Sequence, residues 1–166
     1  MKSKKIAIYI ISLICIGFFM NLIKEDIWDK NEKLLRKNVL SIDESVEIVD
    51  LSDIAPFNWD LAYSFAPYTR EDDIYETVGY KWDNIVETVN EGMNQIVFLK
   101  DKKVVCYLYG YADNNGYGIN FGGEGYKDGV NVLNLEDNLK FQVVRRDGVV
   151  YLEQINLNYS CSIVSI

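Results

Sequence analysis

Five tyrosines crowd one short stretch of the chain: Tyr107, Tyr109, Tyr111, Tyr117 and Tyr126. Tyrosine combines apolar area with a polar tip, so such a cluster suits recognition of a peptide, a glycan or a partner protein. Positions 107, 109 and 111 alternate, and on a strand they share one face. If exposed, that face is a binding platform; if buried, it packs against a helix. The candidate binding residues are Tyr109, Tyr111, Tyr117 and Tyr126. The loop around Tyr117 is rich in glycine and asparagine, and loops on a rigid scaffold are where recognition concentrates.

Other chemistry is narrower. The chain contains no histidine, which removes histidine-based triads and most transition-metal sites. Carboxylates, lysines, tyrosines and Cys106 or Cys161 remain, and no catalytic residue, metal site or cofactor emerges from their spacing. Trp59-Asp60 and Trp82-Asp83 would give a carboxylate pair for acid/base work if the fold joined them, which keeps a carboxylate-dependent envelope enzyme as the alternative to a binding domain. Asp113 to Gly116 resembles a calcium loop, but an EF-hand register puts Tyr111 where its first aspartate belongs. Gly116, Gly118, Gly123 and Gly125 lack dinucleotide-fingerprint spacing and fit turns. An oxidising compartment would permit a Cys106–Cys161 bridge, yet the separation is weak support for one, and two buried thiols are expected.

The start of the chain sets location. Lys2, Lys4 and Lys5 precede a charge-free apolar run over residues 6–23, followed by Lys24, Glu25 and Asp26. As a helix this run is roughly 27 Å long, close to the roughly 30 Å core of a bilayer. It offers no small-x-small cleavage site, and Ser12-Leu13-Ile14-Cys15 places isoleucine where a lipoprotein signal needs a small residue. The expectation is a cytoplasmic basic tail (1–5), a transmembrane signal anchor (6–23), a juxtamembrane segment (24–40) and an extracytoplasmic domain (41–166), single-pass with the C-terminal domain outside the cell membrane. Four of the 17 basic residues lie before residue 25 and all 25 acids follow, leaving about −12 on residues 25–166. Such a surface repels phosphate backbones, so nucleic acid is not an expected partner.

The elements that must position the tyrosines are legible in part. Residues 27–38 mix charges with Ile27, Trp28, Leu34 and Leu35 and can prolong the anchor helix; residues 41–54 fit an edge strand or linker. Phe57, Trp59, Leu61, Tyr63 and Phe65 alternate, the period of a strand with one buried face. Thr69 is placed as N-cap with Asp72 at N3, Ile74 and Val78 form an apolar ridge, and Gly79 closes the helix. Two hairpins follow: 95–100 with 103–111 about Asp101-Lys102, expected to use a longer or bulged turn for want of glycine, and 139–146 with 149–157 about Asp147-Gly148. This order predicts α+β: an N-terminal transmembrane helix, then a two-layer domain with an antiparallel sheet and one main helix.

The motif Phe57-x-Trp59-Asp60-x-x-Tyr63-x-Phe65-x-Pro67-Tyr68-Thr69, with Ile74, Gly79, Trp82 and the 97–105 hairpin, resembles a group of small bacterial extracytoplasmic proteins, membrane-anchored or lipoprotein-like, whose roles are largely unassigned. The likeness implies an envelope location and a compact α+β domain, without an activity or a catalytic residue. The expected function is a binding or accessory domain at the bacterial envelope, of an immunity or inhibitor kind, acting on a protein, peptide or glycan.

Overall fold

The computed structural model describes residues 25–122 and 125–155. Helix α1 (Ile27–Leu40) is charged on its outer side and buries Leu35 and Val39, one turn apart, into the core. Its buried polar residue, Asn31, is satisfied by donating to the Val105 carbonyl at 2.8 Å, which holds the helix against a strand edge that would otherwise be free. Strand β1 (Ile48–Asp50) leads into the single turn α2 (Leu51–Ile54), capped where Asp50 accepts from the Ser52 N–H at 3.0 Å. Strand β2 (Leu61–Phe65) and helix α3 (Glu71–Val78) follow, then β3 (Met93–Lys100), β4 (Lys103–Tyr111), the short helix α4 (Ala112–Asn115), β5 (Tyr117–Asn120), β6 (Val130–Asn134), β7 (Lys140–Arg146) and β8 (Val149–Gln154).

The strands form two four-stranded sheets, β1-β7-β8-β5 and β4-β3-β2-β6. Pairing is antiparallel except between β5 and β8, which run parallel. The sheets bury their inner faces together: Ala62, Ile96, Phe98, Cys106 and Leu108 from one, Tyr117, Ile119, Phe141 and Leu152 from the other, closed at one side by Leu35 and Val39 of α1. A second cluster lies on the other face of the β4-β3-β2-β6 sheet, where Ile74 and Val78 of α3 and Ile85 cover Phe65, Val97, Leu99 and Tyr107.

This corrects the expected fold. There are two sheets and four helices among the described residues rather than one sheet with one main helix. The physical reason is area: an eight-residue helix covers one sheet face, and the apolar face of the β7–β8 hairpin needs a second sheet to bury it. No described helix is long and apolar enough to cross a membrane; the expected transmembrane helix at residues 6–23 lies outside the described residues.

Local expectations divide in the same way. The alternation over 57–65 breaks at Asp60. Trp59 and Phe57 precede β2 and pack edge-to-face on Phe98 in the inner core, at 5.4 and 5.6 Å between centroids, while Leu61, Tyr63 and Phe65 belong to the outer cluster. Thr69 does not cap α3; its hydroxyl donates to the Ala66 carbonyl, and the first-turn Glu71 N–H donates to the distant Glu87 carboxylate at 3.0 Å. Gly79 closes the helix in the left-handed conformation as expected. The Asp101-Lys102 turn is a two-residue connection with both residues left-handed, at φ 48° and 62°, and no glycine. The irregularity sits inside the hairpin, where Phe98 opposes Cys106 and Leu99 opposes Val104. Val105 is the extra residue, so Val104 and Tyr107 reach the same outer cluster although three positions apart.

Candidate functional site

The four candidate tyrosines are distributed between interior and surface. Tyr117 lies on β5 at 0% exposure, and its hydroxyl donates to Glu32 at 3.3 Å. Burial pushes its pKa well up and also raises that of Glu32. Tyr109 is half-buried, its ring tilted against Tyr107 at 5.8 Å and its hydroxyl donating to the Glu87 carbonyl at 3.0 Å. Tyr107, pushed up to about 12 by burial, is held by Gln95 beneath the 85–89 segment. The alternate tyrosine face of β4 is therefore roofed over, and no continuous platform forms along it.

Tyr111 and Tyr126 are exposed, at 37% and 42%, and come together. With Tyr151 of β8 they line a notch of about 350 Å³ whose other walls include Glu91, Asp113 and Asn94. Each wall has a local cause. Tyr111 ends β4, and a Cβ at Gly92 would stand 3.7 Å from its ring, so the ring lies over the chain just before β3. Asp113 sits in the first turn of α4, which Gly116 closes with φ 79°. Tyr126 follows a loop pinned by Asn131, whose amide donates to the carbonyls of Phe121 (3.0 Å) and Gly125 (3.1 Å). That contact requires glycine at 122: φ is +92°, and a Cβ there would be 2.4 Å from the Asn131 side chain.

The floor is tightly packed. A Cβ at Gly118 would stand 3.1 Å from Asn94 Oδ1, 3.2 Å from Ala112 and 3.2 Å from Tyr151. Asn94 is fixed by accepting from the Ile119 N–H at 3.1 Å. The notch is thus held by β3, α4, β5 and β8 together. Among the described residues, no hydrogen bond engages the hydroxyls of Tyr111, Tyr126 or Tyr151, and no ion pair engages Glu91 or Asp113. These are uncommitted groups around a recess, the arrangement of a binding site.

A larger trough crosses the outer face. One part, about 560 Å³, is walled by Trp28, Tyr80 and Trp82; an adjoining part, about 510 Å³, by Leu61 and Tyr63; both share the Asp101-Lys102 turn. Its aromatic groups already serve the fold. Trp82 meets Trp28 and Tyr107 edge-to-face, each at 5.3 Å, and the Tyr80 hydroxyl accepts the Val104 N–H at 2.9 Å.

The carboxylate pair does not assemble. Asp60 accepts from Lys100 at 2.5 Å and from the Asp101 N–H at 2.9 Å, hydrogen bonds that hold its pKa below the usual carboxylate range. Asp83 is exposed and lines none of the recesses around Asp60. Among the described residues no cluster of metal-ligating side chains occurs. Cys106 is fully buried and free, its thiol pKa raised by burial; Cys161 lies outside the described residues. Sequence reasoning missed Tyr151 and Glu91. The first sits in a β-strand without local tyrosine neighbours, and the second is one exposed acid among many.

No family model, curated protein or solved structure matches this chain.

Proposed function

We propose that this chain is a binding or accessory domain of the bacterial cell envelope, held at the membrane through the apolar run of residues 6–23, and that it acts by recognition at the notch of Tyr111, Tyr126 and Tyr151. The observation that carries this is the convergence, in one recess with a close-packed floor, of three phenol hydroxyls and two carboxylates that make no hydrogen bond or ion pair among the described residues. Pre-organised groups bind without first paying to be ordered. A charge-free run after three lysines supports the membrane placement, as does the likeness of the 57–69 motif to anchored envelope proteins. A protein or peptide partner suits an inhibitor or immunity role, in which one domain occupies another's surface.

The test is photo-crosslinking in intact envelopes with the full chain carrying a photoreactive residue at Asn120, on the notch rim. A discrete adduct is expected for the wild type, and its loss when Tyr111→Ala and Tyr126→Ala are combined at unchanged melting temperature. An adduct that survives those changes would overturn the notch as the recognition site. Recovery of the chain in the soluble fraction would overturn the membrane placement.

A further inference from the structure

We propose that the notch takes an organic cation: the ammonium or guanidinium group of a lysine or arginine side chain on a partner peptide. This rests on the recognition role assigned to the notch above and names its ligand chemistry. The rings of Tyr111 and Tyr126 supply negative faces that attract a cation, and Glu91 and Asp113 supply charge at the rim. Among the described residues no lysine or arginine lines the recess, and none forms an ion pair with those carboxylates. The polar floor residue Asn94 keeps its amide fixed by the Ile119 N–H.

Two further observations favour a cation over a neutral glycan or an anion. Residues 25–166 carry about −12, a field that draws basic partners and raises their encounter rate. One ring of the notch also receives a guanidinium within the fold: Arg146 lies over Tyr151 at 4.6 Å, itself anchored by Glu153 at 2.6 Å. That internal pair uses one ring and leaves Tyr111 and Tyr126 for a ligand.

The experiment is titration of the full chain, in detergent micelles, with acetyl-Gly-Arg-Gly-amide and with its near-isosteric neutral citrulline counterpart, following the tyrosine ring resonances by NMR. The arginine peptide should shift Tyr111 and Tyr126 saturably, and the citrulline peptide should bind at least tenfold more weakly. Combined Tyr111→Ala and Tyr126→Ala should weaken arginine binding by at least tenfold. The near-isosteric pair Glu91→Gln and Asp113→Asn, which leaves the packing intact, should weaken it by about fivefold and flatten its salt dependence. Equal binding of the two peptides, absence of a saturable shift, or binding unchanged in the Gln/Asn variant would each overturn the cation assignment. If the envelope adduct is lost on replacing Tyr111 and Tyr126 while the arginine peptide fails to bind, recognition at the notch stands and the ligand class falls. If the adduct also persists, both fall.

Discussion

The hydroxyl of Tyr117 donates a hydrogen bond to Oε1 of Glu32 across 3.3 Å, tying strand β5 to helix α1 over 85 positions of sequence. The carboxylate is half-buried at this junction, near Arg36 and the Cys106 thiol, and its pKa is raised, chiefly by desolvation. An acid whose folded pKa lies above its unfolded value holds its proton longer in the folded state, so the folded form binds more protons in that window. Its contribution to stability therefore falls as pH rises from about 4.5 towards the raised value. Replacing Glu32 by Gln keeps an acceptor for Tyr117 and removes the titration. Melting curves of wild type and Glu32→Gln should converge near pH 4.5 and separate above it, with the variant the more stable. A constant offset at every pH would refute the coupling.

The interior and exposed tyrosines should respond oppositely to truncation. Tyr117→Ala empties a fully buried site and orphans its hydrogen bond to Glu32, a loss of about 3–5 kcal/mol. Tyr111→Ala removes an exposed ring with no hydrogen bond among the described residues, and should cost under about 1 kcal/mol. Urea unfolding of the two variants measures the difference. Comparable losses would mean that Tyr111 is structural and would remove it from the binding site.

The β3–β4 turn carries two non-glycine residues in the left-handed region, Asp101 and Lys102. A side chain there costs roughly 1–2 kcal/mol, partly offset by the greater unfolded-state entropy of glycine. Lys102→Gly converts the turn to the Asp-Gly form favoured in two-residue hairpins and should raise stability by about 0.5 kcal/mol, read as an upward shift of the urea midpoint at constant slope. A downward shift would show that the Lys102 side chain itself stabilises the turn.

Some of this architecture is local and was legible in the residues. Ile74, Val78 and Gly79 specify a helix and its end through the 3.6-residue period and one positive φ; Asp147-Gly148 specifies a hairpin through a turn that few other pairs can adopt. The same local rules failed at Trp59, because alternation records which residues are apolar without recording which of two cores will take them. They failed again at 113–118, where glycine and asparagine suggest loop, yet the chain forms α4 and the buried strand β5. Strand β5 is a strand because β8 pairs beside it and Gly118 admits Asn94, Ala112 and Tyr151.

The sequence by itself determined that tyrosines are concentrated near residues 107–126, that the chain after residue 24 is strongly acidic, and that histidine chemistry is absent. Only the tertiary structure decided which tyrosines are surface. Tyr117 and Tyr109 were drawn inward by α1 and by the 85–89 segment, whereas Tyr111 and Tyr126 were left at the rim and joined by Tyr151, which is distant in the chain. The physical reason is that burial depends on what packs against a residue, and here the packing elements lie as far away in sequence as Glu32 is from Tyr117. Side-chain type and local spacing cannot encode that.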